Sequence, residues 1–257
     1  MVNFPDWCHT ADSKVGTSYI RILAGDPSRL AAGVSATAAV VPSHYAAEER
    51  IATVLRRLGK PEAARFIEEK LPTSKSIRSG DLGEILATEW IASQGGYDVP
   101  IKRLRWKDHR NMAMRGDDVI GLKRDPNTGA LLFLKTEAKS RVSLSAGVIG
   151  EARKGLDKDG GRPSAHALAF IADRLAELGN DALADAILDA QLKSTIPLQS
   201  VLHLTFTFSG NDPQPHLTTA LQGYGGPVAQ WGVGLRIDGH ASFVAAVYDQ
   251  VINNANS

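Results

Sequence analysis

The chain has 257 residues, 43% apolar and 22% charged, with 29 Lys and Arg against 28 Asp and Glu, a formal net charge of +1. This balance is too apolar and too evenly charged for a disordered chain, and the length suits one large domain or a domain with an appendage. No 18-residue stretch is continuously apolar, which argues against a membrane-spanning helix, and the first residues lack the pattern of a secretory signal. A single cysteine, Cys8, excludes an internal disulfide and a multi-thiolate metal site, so a reducing, cytoplasmic setting is expected.

The first forty residues show no clear period and read as irregular structure with a strand around Ser18 to Leu23. After Pro42, Ser43 is placed to cap a helix whose apolar positions Ile51, Val54, Leu55 and Leu58 follow helical spacing up to Gly59. Pro61 opens a second helix that runs to Leu71, and a third spans about Gly80 to Gln94, closed by Gly95 and Gly96. Beyond Val99 comes an extended basic segment, then two strand-like runs, Asp118 to Arg124 and Ala130 to Ser140. Between them Asp125-Pro126-Asn127-Thr128-Gly129 is a strong turn signal, so a hairpin is expected. Ala146 to Leu192 is helical by composition, with breaks at Gly160 to Pro163 and near Gly179. Val201 to Phe208 is strand-like, and Trp231 to Ile237 and Ala241 to Val251 follow. This order of elements argues for an α/β or α+β layer architecture.

The chemistry concentrates around the hairpin. Strand alternation puts Glu137 and Lys139 on one face and Leu132, Leu134 and Ala138 on the other. Pairing Asp118 with Glu137 puts the midpoint between Asn127 and Thr128, inside the turn, and sets the two carboxylates about 4.5 to 5.5 Å apart at their side-chain origins. Such a pair repels unless a cation compensates it, and Mg²⁺ does so with one or two carboxylates plus water and phosphate oxygens. A lysine two residues along the same face is placed to orient an attacking water or help deprotonate it, the combination that phosphodiester hydrolysis needs. Asp117 is the weaker aspartate, because neighbouring strand residues point to opposite faces. Glu84 lies away from the Leu82, Ile85, Leu86 and Trp90 stripe of its helix, where it either reaches the acidic pair or stands in solvent.

Six basic residues, Lys102, Arg103, Arg105, Lys107, Arg110 and Arg115, precede the Asp118 strand with one acid, Asp108, among them. They either guide a phosphate backbone to the site or form a solvated segment that Trp106 anchors in the core; on the first reading Arg103, Arg105, Lys107, Arg110 and Arg115 contact nucleic acid. Between Pro163 and Ser194 the balance is acidic instead. Nucleotide-loop, nucleophile-elbow and zinc-protease signatures are absent.

A glutamate-bearing helix, a strand with Gly-x-Asp and an adjoining strand with Glu-x-Lys resemble the PD-(D/E)XK nuclease superfamily. The longer pattern, Ser79-Gly80-Asp81-Leu82-Gly83-Glu84-Ile85-Leu86, Arg115-Gly116-Asp117-Asp118-Val119-Ile120-Gly121 and Glu137-Ala138-Lys139-Ser140, is similar to the nuclease subunits of the Hachiman anti-phage defence system, over roughly residues 40 to 160. The resemblance implies a restriction-endonuclease-like α/β core, a central mixed sheet flanked by helices. Residues 1–75 then form an N-terminal extension with helices packed on the core, and 76–257 the nuclease domain. It implies a DNA nuclease dependent on Mg²⁺ or Mn²⁺, acting beside a helicase subunit. Asp118, Glu137 and Glu84 would hold the metal and Lys139 would activate water. The Gln-x-x-x-Tyr motif of the RecB-like branch is missing after Lys139, where Arg153 or Lys154 is the substitute for phosphate contact. A stand-alone restriction or repair nuclease, and a DNA-binding scaffold with this fold and no turnover, are the alternatives. No segment reads as a self-inhibitory tail, so restraint of the nuclease is expected from its partner.

Overall fold

A computed structural model describes residues 1–256. Six strands form one mixed sheet in the order β1-β2-β6-β5-β4-β3. The ranges are β1 (Cys8–Val15), β2 (Ser18–Gly25), β3 (Val119–Arg124), β4 (Leu131–Arg141), β5 (Val201–Ser209) and β6 (Ala229–Arg236). The four inner strands β2, β6, β5 and β4 run parallel, and an antiparallel hairpin partner, β1 or β3, closes each edge. The expected mixed sheet flanked by helices is therefore present.

The β3–β4 register pairs Val119 with Thr136 and Leu122 with Phe133, as the turn predicts. Extended by one residue it sets Asp118 across from Glu137. Asp125 secures the turn by accepting the backbone N–H groups of Asn127 and Thr128 at 2.8 and 3.0 Å.

Helix α4 (Lys75–Trp90) packs on the sheet face carrying Leu134, Leu204, Phe206 and Val233, through Leu82, Ile85, Leu86 and Trp90. Behind it lie α1 (Leu30–Tyr45), α3 (Lys60–Lys70) and α9 (His240–Asn256), with α2 (Glu48–Leu58) before α3. On the opposite face, α5 (Ala146–Asp157) and α8 (Gln214–Gln222) cover Ile20 and Ile22, while α6 (Ala165–Glu177) and α7 (Asp181–Leu192) cover Ile120, Leu122, Leu131 and Phe133. Trp106 is anchored in this second cluster, edge-on to Phe170.

The N-terminal third departs from the sequence reading. Residues 8–25 form a hairpin and 30–45 a helix, where irregular structure and one strand were expected. The helix expected to begin after Pro42 is two helices: α1 runs through Pro42, and Ser43 lies inside its last turn, donating to the Val40 carbonyl rather than capping. Since β2 pairs with β6, the first 75 residues supply two strands of the common sheet as well as helices. Helix α4 begins at Lys75, earlier than its pattern indicated, and α8 was not anticipated. Among the described residues no helix is long and apolar enough to cross a membrane.

Candidate active site

The start of β3, the middle of β4 and the third turn of α4 meet at one edge of the sheet. Asp118 accepts the Ala138 backbone N–H at 2.9 Å, which clamps the residue before β3 onto β4. One position along β4, Glu137 accepts from the Lys139 ammonium at 2.9 Å. Glu84 reaches this edge from α4; its side chain is 15% exposed and bonded, not directed into solvent.

One guanidinium joins the acids. Arg103 donates Nε–H to Glu84 at 3.0 Å and an Nη2 hydrogen to Asp118 at 3.2 Å, while its Nη1 donates to the carbonyls of Asp117 and Arg115 at 2.7 and 3.2 Å. Burial pushes Glu84 up to about 7, opposed by the Arg103 charge and reinforced by Asp118. Burial likewise raises Glu137, as does the Asp118 charge, against the pull of Lys139. Burial works against the Lys139 ammonium, yet its bond to Glu137 and the charges of Glu137 and Asp118 hold its pKa above the ordinary lysine value. Lys139 is thus a fixed cation here. It can orient a water and offset negative charge, but as an ammonium it does not take a proton.

The room for Glu137 comes from helix α5. A Cβ on Gly155 would stand 2.8 Å from Glu137 Oε2 and closer still to Cδ and Oε1. On the other face Gly83 lets α4 approach Ser140, whose Cβ would be 3.1 Å from an added methyl.

Lys135 shares the face of Glu137 and Lys139 and is fully buried. Its ammonium donates to the carbonyls of Lys158 and Arg162 at 2.9 and 2.8 Å and stands 3.4 Å from Asp117. Asp117 also accepts the Ser164 backbone N–H at 2.8 Å. The pair therefore ties β4 and Asp117, two residues before β3, to the loop after α5. The sequence offers no signal that separates this lysine from Lys139.

The basic segment, read from sequence either as a phosphate guide or as a solvated stretch anchored by Trp106, keeps that anchor but turns most of its cations inward. Lys107 makes a 2.7 Å ion pair with Asp81, which Tyr45 also contacts, and Lys102 stands 3.8 Å from Glu89 while donating to Ser43 Oγ. Arg105 donates to the Ser43 carbonyl in the last turn of α1 at 2.8 Å. Arg110 makes only a long 3.5 Å contact to the Glu68 carbonyl, and Arg115 is exposed. Of the two substitutes considered after Lys139, Arg153 turns to Gln230, His203 and Asp157 and lies over Tyr224, whereas Lys154 is exposed.

A second set of cations gathers where β4 ends. Lys75, Arg78 and Arg141 line a cavity of about 480 Å³ between the starts of α4 and α9 and the end of β4. Among the described residues none of the three has an acidic partner within 4.0 Å. Ser79, Ser140 and His240 form a hydrogen-bonded chain in its wall, with Ser79–Ser140 at 2.8 Å and Ser140–His240 at 2.9 Å. Burial lowers His240 to about 4, so the ring is neutral at pH 7. Ser79 opens the 79–86 motif and Ser140 closes the 137–140 motif, yet only the fold brings them together.

Among the described residues no three His, Cys, Asp or Glu side chains are gathered as a ready cation site. Mg²⁺ needs only one or two carboxylates alongside water and substrate oxygens. Glu84 and Asp118, which already share one cation, meet that requirement, with Glu137 beside Asp118.

A family model described as HamA matches residues 2–251. Hachiman protein HamA from Bacillus cereus is 25% identical over 240 residues, 91% of this chain and 84% of that protein.

Proposed function

Because the chain belongs to the HamA family, we propose that it is the metal-dependent DNA nuclease of a Hachiman anti-phage defence system, working beside a helicase subunit on a PD-(D/E)XK-type core. The observation that carries this reading is the meeting of Glu84, Asp118, Glu137 and Lys139 at one sheet edge, with Asp118 bonded to Ala138 between Glu137 and Lys139.

Asp118, Glu137 and Glu84 would hold the divalent cation, Mg²⁺ or Mn²⁺. When bound, that cation supplies Lewis-acid stabilisation of the charge that develops on the phosphoryl oxygens. Lys139, held as an ammonium by Glu137, orients the attacking water and offsets charge on the scissile phosphate. Gly155 leaves Glu137 the space to turn its carboxylate inward. Lys75, Arg78 and Arg141, which line one cavity at the end of β4 and have no acidic partner among the described residues, track the flanking backbone phosphates, a contact blind to base sequence.

The test is cleavage of supercoiled and linear plasmid by the purified chain with Mg²⁺ or Mn²⁺ and with EDTA, repeated with the helicase and ATP. Cleavage that requires metal is expected in at least one of these settings. A chain that binds DNA but stays inert in all of them is a scaffold and not a nuclease.

A further inference from the structure

Segment 102–107 crosses helix α4 in the opposite direction, matching three of its acids with three cations: Lys102 at Glu89, Arg103 at Glu84 and Lys107 at Asp81. The outer two pairs lie away from Glu137 and Lys139. Lys107 and Asp81 are about 5% and 4% exposed, and Glu89 also binds His44 and the Val2 backbone N–H. The central pair falls on the acidic edge itself, and there Arg103 spends two of its donor groups on carboxylates from two separate elements, α4 and the residue before β3.

We propose that Arg103 is a built-in counter-ion of this site, which a divalent cation must displace from Glu84 and Asp118 in order to bind. The proposal rests on the metal-centre reading and adds its regulation: segment 102–107 is a latch that holds the free chain in a low-affinity state. Oxygens that accept from a guanidinium at 3.0 and 3.2 Å cannot take a second cation without bringing like charges to within a few ångströms, where repulsion in a largely buried site is severe. Displacement needs only the Arg103 side chain to swing, because Lys102 and Lys107 anchor the backbone on either side. Anything that draws the guanidinium outward, a backbone phosphate or an acidic surface of the partner, would raise cation affinity.

Cation affinity can be read without catalysis, by Mn²⁺ electron paramagnetic resonance or by calorimetry with Mg²⁺, on the full chain and on Arg103→Gln and Arg103→Lys. Arg103→Gln is expected to bind about tenfold tighter or more, the change that loss of one adjoining positive charge makes at a carboxylate. Arg103→Lys, which keeps the charge, should stay close to the unaltered chain. Arg103→Gln binding Mn²⁺ equally or more weakly overturns the latch and leaves the metal centre standing. No Mn²⁺ binding by any of the proteins at millimolar concentration overturns the metal centre and the latch with it. Should Arg103→Gln fail to unfold cooperatively, the arginine Nε–H resonances of the unaltered chain decide. A protected Nε–H signal lost as Mg²⁺ saturates supports displacement, and saturation that moves no arginine signal refutes it.

Discussion

Gly155→Ala separates the placement of Glu137 from the stability of the fold. Gly155 sits inside α5 and is not among the positive-φ glycines, so alanine takes its backbone without strain and gains about 1 kcal/mol of helix propensity. Its methyl, however, lands on the Glu137 carboxylate, 2.8 Å from Oε2 and nearer to the other two carboxyl atoms. Those atoms end a flexible side chain, so the carboxylate swings aside and the helix stays seated. The swing costs about 0.5–1.5 kcal/mol in rotamer energy, and the bond to Lys139 adds about 1.5–3 kcal/mol if it is lost outright. Against the helical gain, the net destabilisation is at most about 3.5 kcal/mol, a fall in Tm of no more than roughly 7–14 °C for a domain of this size. The effect on catalysis is larger, because a displacement on the order of 1 Å at a reacting centre costs about a hundredfold. Gly150→Ala is the control on the same helix: nothing lies within 4 Å of its Cβ, so it should stabilise by about 1 kcal/mol and leave cleavage unchanged. Thermal unfolding and metal-dependent plasmid cleavage are measured on both. Gly155→Ala that keeps the unaltered cleavage rate would refute the assignment of Glu137 to the reacting centre.

Three further outcomes follow from the same geometry. Lys135→Met leaves Asp117 buried without its cation and removes the donor to two loop carbonyls, so denaturant unfolding should show a loss of about 3–5 kcal/mol; a shift below about 1 kcal/mol, the range of exposed pairs, would mean the pair is not buried. Glu84, raised from 4.5 to about 7, contributes stability that is full below the unfolded value and lost as pH rises through 7. Glu84→Gln should therefore lose less stability than the unaltered chain between pH 4.5 and pH 8, by up to about 3 kcal/mol, and parallel profiles would contradict the raised value. Neutralising Lys75, Arg78 and Arg141 together should weaken DNA binding and reduce the slope of log affinity against log salt by about 2–3, whereas an unchanged slope removes them from the phosphate track.

The β3–β4 hairpin was legible because its information is local: five turn residues fix the register, and register with parity fixes which side chains share a face. That logic put Asp118 across from Glu137 and Lys139 beside it. The N-terminal hairpin was not legible. In β1 the run His9 to Asp12 is exposed and, apart from Ala11, polar, so an edge strand shows no apolar alternation, and β2 finds its partner β6 some 200 residues away. Helix α1 hides for another reason. Its core contacts use small residues, with Gly33 against the Trp7 ring, which leaves a weak apolar stripe interrupted by Pro42. Charge was the least legible feature. Composition shows six cations between 102 and 115, but only the fold reveals that Lys102, Arg103 and Lys107 face the acids of α4, and that Lys75, Arg78 and Arg141 line one cavity with no acidic partner among the described residues. Lys135 and Lys139 occupy the same face two turns of the alternation apart, and burial under α5 and its following loop alone makes one structural and the other a candidate for chemistry.

The central claim is that phosphodiester cleavage occurs at the edge where Asp118, Glu137 and Lys139 meet. The most direct measurement is plasmid cleavage by Glu137→Gln and Lys139→Ala beside the unaltered chain, with metal, helicase and ATP held constant and each variant shown to unfold cooperatively. Folded variants that have lost metal-dependent cleavage are the predicted result. Cleavage at the unaltered rate by either variant would mean that the reacting phosphate binds elsewhere.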